Sequence, residues 1–125
     1  MIIEIVPVAK PRMTRSDKWK QRPCVMRYRA FADELRLKVG KGFDVNYYEI
    51  VFTMPMPESW SKKKKKEMDG TCHVQKPDID NLLKSVLDAL YGDDSHIHNL
   101  GGLRKSWGFD GMINFRNTRK DDLPW

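Results

Sequence analysis

Residues 76–92 constrain the architecture of this chain more than any other stretch. Pro77 lacks a backbone donor and disfavours helix before it. Gly92 is a natural stop for the segment that follows. Between them Leu82, Leu83, Val86, Leu87 and Leu90 recur at helical spacing. The pattern predicts a helix over 82–91 with one buried leucine stripe. Asp80, Lys84 and Asp88 lie four residues apart and share the opposite, polar face. Asp78 and Asp80 stand at the entrance to this helix, and Asp93 and Asp94 follow its stop. Carboxylates sharing a site repel by roughly 1 kcal/mol at 4 Å in water, and more near a protein surface. A divalent metal is the usual way to make such a gathering favourable.

The acids are concentrated in a chain whose net charge is +6. That balance points to a polyanionic partner, nucleic acid or an anionic membrane. Nucleic acid is the better fit, because the sequence has no long apolar run and no strongly amphipathic basic helix. At 125 residues with 40% hydrophobic content, one domain with a small core is the simplest expectation. A partner subunit could complete part of that core's surface. Met1 to Val8 is short and carries Glu4, so it reads as neither signal peptide nor membrane span. Cys24 and Cys72 lack CxxC spacing, and free thiols in a reducing cytoplasm are expected.

Residues 2–8 alternate like a first strand. From Lys10 to Arg22 six positive charges face one negative, with Pro11 among them. This reads as a basic loop, either simply solvated or gripping phosphate. Tyr28, Phe31, Ala32, Leu35 and Val39 form the core stripe of a helix over 26–39, with a Glu34–Lys38 pair outside and Gly40 as its stop. Residues 47–54 give the clearest strand, with Tyr48, Ile50, Phe52 and Met54 on one face. Ser61 can cap a short helix of Lys62 to Met68, whose five lysines cover all its sides. Short strands are expected near Ile97, over 103–107 and over 112–115, and residues 116–125 read as a loose tail. The order predicts an α+β fold: a small single domain over 1–125 with helices packed on a mixed or antiparallel sheet.

Pro77 favours an extended entrance, so Asp78 and Asp80, spaced i,i+2, are expected to project together from a loop or strand end. Asp80 or Asn81 could also cap the helix. Metal-assisted phosphodiester hydrolysis uses such parts: carboxylates hold the ion, and a cation such as Lys84 stabilises charge at the phosphate or leaving oxygen. D-x-D alone often marks nothing more than a cap. Followed by Asn81, by Lys84 on the same face and by Asp93-Asp94, it is more specific.

Lys76-Pro77-Asp78-Ile79-Asp80-Asn81-Leu82-x-Lys84, then Leu87-Asp88-Ala89-Leu90 and Asp93-Asp94, resembles the RusA family of Holliday-junction resolvases. The close match covers roughly residues 76–94. The resemblance implies a small homodimer, often phage- or prophage-encoded, that makes paired symmetric nicks in a four-way DNA junction during recombination and repair. It also implies dependence on Mg²⁺, with Mn²⁺ as a substitute. By position, Asp78, Asp80 and Asp94 match the family's metal-binding acids, Lys84 its catalytic lysine and Asp93 a supporting acid. Asp88 reads as structural. Only Tyr91-Gly92 separates the helix from Asp93-Asp94, where some members carry a longer connection.

Lys10, Arg12, Arg15, Lys76 and Lys105 are the candidate DNA contacts. His96 and His98 fit no common zinc spacing, even with Cys72 and His73 added. Trp60, Trp107 and Trp125 could stack on exposed bases but are more readily packing residues. Two other functions compete with the nuclease. One is a non-catalytic nucleic-acid-binding protein whose acids cap a helix. The other is a phosphohydrolase acting on small nucleotides, for which a Gly-rich phosphate loop is missing.

Overall fold

Strand Tyr48–Pro55 (β2) is the centre of the sheet, pairing on both sides. Its alternation puts Ile50, Phe52 and Met54 into the core, while Tyr48 is only half-buried. The computed structural model describes residues 1–12 and 22–117. Within them four strands lie in the order β1-β4-β2-β3, where β1 is Ile2–Ile3, β3 is Leu100–Gly108 and β4 is Met112–Asn117. β4 runs antiparallel to β1 and β2, and β3 runs parallel to β2. The sheet is therefore mixed, and the fold is α+β.

The parallel pair requires a long crossover between β2 and β3. It contains two helices, Lys62–Met68 (α2) and Ile79–Leu90 (α3). The remaining helix, Pro23–Val39 (α1), precedes β2 and packs on α3. Val25, Tyr28, Phe31, Ala32 and Leu35 of α1 are buried, close to the expected stripe. Leu82, Val86, Leu87 and Ala89 of α3 form one core with Tyr28, Phe31, Ala32 and Leu35 of α1 and with Ile113 and Phe115 of β4. Ser61 accepts a hydrogen bond from the Lys64 amide, so α2 has the expected cap.

Three local features differ from the sequence expectations. Ile3, Ile5 and Pro7 are alternately buried, yet only Ile2–Ile3 pair as a strand. Residues near Ile97 form a turn instead of a strand, because Ile97 donates its amide to the Asp94 carbonyl. β4 extends through Arg116 and Asn117, which pair with Glu49 and Tyr48. Residues 13–21 and 118–125 lie outside the described set, and with them Arg15 and Trp125.

Candidate active site

The acid-bearing entrance of α3 is built on the edge of the sheet. After α2, Gly70 takes a positive φ of 79°, which a side chain would disfavour, and donates to the Trp107 carbonyl at 2.9 Å. The chain then runs antiparallel along the outer edge of β3. Trp107 donates to Thr71, and His73 donates to the Lys105 carbonyl at 3.0 Å. This cover satisfies part of an edge that would otherwise be open. His73 is buried against Trp107, with ring centroids 4.2 Å apart, and Trp60 packs on the same indole. Trp60 and Trp107 are thus packing residues.

Beyond His73 the chain leaves β3 and forms one wall of an open groove of about 840 Å³. Lys76, Asp78 and Asp80 line it, with Arg104 and Lys105 of β3. Both carboxylates are exposed. Their placement differs from the expected extended pair. The helix starts three residues earlier than its leucine stripe suggests, so Asp78 occupies the N-cap and Asp80 the first turn. They nonetheless share the groove. Asp78 makes no side-chain capping bond. It pairs with Lys76, whose Nζ lies 3.0 Å from Oδ2. Asp80 accepts from the amide of its neighbour Asn81 at 3.0 Å.

Lys84 is exposed one turn further along α3, and its side chain makes no hydrogen bond or ion pair to another described residue. It lines a second cavity of about 420 Å³ with Lys10, Pro11, Arg12 and Asn81. Lys10 is already engaged: its ammonium lies 2.5 Å from Asp88. That hydrogen bond raises the Lys10 pKa above its ordinary value. The pair pins the start of the basic segment to α3, which gives Asp88 the structural role expected of it. Arg12 remains exposed at the rim. Lys105 is engaged as well, donating to the carbonyls of Gln75 and Pro77 at 2.6 Å each.

Asp93 and Asp94 are exposed in the turn after α3. Asp93 accepts from the Ser95 amide at 2.9 Å, and this bond lowers its pKa. Asn46, buried, organises the rest of that loop. Its side-chain oxygen accepts from the amides of His98 and Asn99, and its amide group donates to Asp44 and to the His96 carbonyl. Tyr91 adds a second tie, donating its hydroxyl to the Phe43 carbonyl and accepting from the Val45 amide. α3 has 12 residues and so spans about 18 Å. Its two acid pairs stand at opposite ends of that length. Among the described residues no three His, Cys, Asp or Glu side chains converge into a group able to hold a metal ion.

Sequence reasoning missed Asn46 and read Lys105 as a DNA contact. Lys105 had a signal: alternation puts it between Leu103 and Trp107 on one strand face, an unusual place for a free charge. Asn46 had none, because apart from Asp44 its side-chain partners are main-chain groups 50 or more residues away.

No curated protein and no solved structure matches the chain. The family model described as Endodeoxyribonuclease RusA matches residues 3–105. That span runs from the first strand through the acid-bearing helix to Lys105 at the wall of the groove, and on this extent the chain belongs to the RusA family of endodeoxyribonucleases.

Proposed function

We propose that this protein is a divalent-metal-dependent endonuclease that resolves four-way DNA junctions by paired symmetric nicks, with the Asp78–Asp80 groove as its active site. The family supplies the nuclease reading. The observation that supports the location is the meeting, in one open groove, of two exposed carboxylates with Lys76 and Arg104. The carboxylates are a suitable donor set for Mg²⁺, which is commonly held by one or two carboxylates while phosphate oxygens and waters complete its shell. Mn²⁺ suits the same oxygen donors. Such an ion supplies an activated water and neutralises charge on the phosphate.

The chain's own residues divide the remaining work. Asp78 and Asp80 would hold the ion and so set where the scissile phosphate sits. Lys76 is 85% exposed at its side chain, so its pairing with Asp78 is readily exchanged for a metal or a phosphate. Lys84 places an exposed ammonium one helical turn from Asp80, where it stabilises charge at the phosphate or the leaving oxygen. Arg12 and the lysines of α2 contact the DNA backbone. A twofold homodimer would match the symmetry of the junction and give each strand its own site. Asp94 stands beyond the far end of α3, and its carboxylate reaches the groove only if a second subunit or a repacked exit loop carries it there. Recombination and repair in the cytoplasm is the setting, in keeping with the free Cys24 and Cys72. Among the described residues no helix is long and apolar enough to cross a membrane.

The cap-only reading is weakened by Asp78, which occupies the N-cap without using its carboxylate on the helix amides. The test is a labelled synthetic four-way junction beside matched linear duplex, with Mg²⁺ or EDTA, for wild type and Asp80→Asn. Paired nicks on the junction alone, lost with EDTA and in the variant, are expected. Tight binding without cutting under any metal would overturn the assignment.

A further inference from the structure

We infer that Lys105 is a positioning residue, a clamp from strand β3 that holds the Gln75–Pro77 main chain and thereby the orientation of Asp78 and Asp80, and that it is not a DNA contact. This rests on the nuclease reading of the groove.

In the parallel register Leu103, Lys105 and Trp107 oppose Ile50, Phe52 and Met54, the three buried residues of β2. Lys105 therefore leaves the edge strand on the core side of the sheet. It is half-buried, and its stem lies between the positions of Leu103 and Trp107. The ammonium places two of its three donors on the Gln75 and Pro77 carbonyls. Hydrogen bonds from a charged donor are roughly twice as strong as neutral ones.

The clamp acts where other restraint stops. The last main-chain bond between the incoming segment and β3 is the one from His73 to Lys105 itself. After it Val74 is 86% exposed, and Gln75 and Lys76 are exposed as well, so no apolar side chain seats these residues. Among the described residues, the two Lys105 bonds are the hydrogen bonds that tie 74–77 to the sheet. Asp78 follows directly. A misplacement of about 1 Å at a catalytic group can cost about 10²-fold in rate.

The experiment compares Lys105→Met, which keeps most of the stem and removes the donors, with Lys105→Arg, which restores donors, and with Arg104→Met on the same strand. Amide hydrogen exchange over residues 74–82 is measured on each folded protein, alongside single-turnover cleavage and the salt dependence of junction binding in Ca²⁺. For Lys105→Met we expect exchange at least tenfold faster over 74–82, cleavage slower by about 10²-fold and an unchanged salt slope, with Lys105→Arg recovering part of both losses. Arg104→Met is expected to lower the salt slope by about one and to leave the exchange alone. Should Lys105→Met not fold, Lys105→Gln is read in the same way. Exchange unchanged in the Lys105 variants, or a salt slope reduced by about one, overturns the clamp. If the wild type cuts no junction in any metal, the nuclease reading fails, and the exchange comparison still decides whether Lys105 holds the segment.

Discussion

The two ends of α3 carry the same chemistry, a pair of aspartates, and treat it differently. At the entrance, Asp78 and Asp80 point into open solvent along a groove, and the restraint comes from behind, through β3 and Lys105. At the exit, Asp93 is spent on the Ser95 amide, and the loop is held by the buried Asn46 and the hydroxyl of Tyr91. Each end commits one carboxylate to a nearby amide, Asp80 to Asn81 and Asp93 to Ser95, but the entrance pair lines an open groove with Lys76, Arg104 and Lys105. A cation or phosphate finds an open groove with charge of both signs at the first end and a turn tied down by Asn46 and Tyr91 at the second. Acid count alone would have ranked the two pairs equally.

Replacement of one acid at each end is the strongest way to break the comparison. Asp80→Asn is expected to slow junction cleavage by at least about 10³-fold, since it removes charge from the proposed ion and phosphate site itself. Junction binding should persist. Asp94→Asn is expected to slow cleavage by no more than about tenfold if each chain acts with its own groove, since an uncompensated loss of that size is about 1.4 kcal/mol. Single-turnover rates on one junction give both numbers. A loss in Asp94→Asn as large as that in Asp80→Asn would show that the exit end enters the site in the assembled enzyme. Mixing the two variants would then restore cutting if the acids come from different subunits.

A smaller effect sharpens the structural side. Asn46→Ala leaves the His98 and Asn99 amides without their acceptor and strips a partner from Asp44. Each buried group left unpaired costs about 1–3 kcal/mol, so a loss of about 2 kcal/mol in urea unfolding is expected. Tyr47, next in sequence, holds a left-handed φ of 68° and donates its amide to the Asn99 carbonyl at 2.8 Å. Cleavage per folded molecule should stay within a few-fold of wild type. A large catalytic loss at full stability would mean that the exit loop is more than scaffold. Weaker still is the Lys10–Asp88 pair, about one-third exposed on each side. Asp88→Asn should cost less than about 1 kcal/mol, with the melting temperature as readout.

Much of this molecule was readable from periodicity. The stripes Tyr28 to Leu35 and Leu82 to Leu90 and the alternation of Ile50, Phe52 and Met54 are signals of burial, and burial is what decides those elements. The entrance of α3 was harder to read. The leucine stripe begins at Leu82, but a helix needs no apolar residue in its first turn, so Ile79–Asn81 were helical without an apolar pattern to mark them. The strand expected near Ile97 failed for the opposite reason: apolar residues were present, but Asn46 captured the loop amides that a ladder would have used. Lys10 and Lys105 were read as phosphate contacts because charge is visible in a sequence and its partner is not. Both are tied up by groups distant along the chain, Asp88 in one case and two carbonyls in the other.

The smallest expected effect belongs to His73, behind the entrance. Burial, then the nearby Lys105 ammonium, lower its pKa below the ordinary value of 6.5. Its Nδ1 is buried without a hydrogen-bond partner among the described residues, which also favours a ring that need not carry charge. The folded state therefore prefers the neutral imidazole, whereas the unfolded chain takes up a proton near pH 6.5. The contribution is present in full above that pH and is lost as pH falls towards the lower folded value. Urea unfolding between pH 7.5 and 5.5 should show stability declining on the acid side. His73→Phe keeps an aromatic ring beside Trp107 and should flatten that decline while leaving stability at pH 7.5 nearly unchanged. The exit end offers a comparison, because it carries the other two histidines of the chain, His96 and His98. An acid-side slope that survives in His73→Phe but disappears when His96 and His98 are replaced would move the pH sensitivity to the exit loop, and the entrance would then be restrained without a buried titrating group.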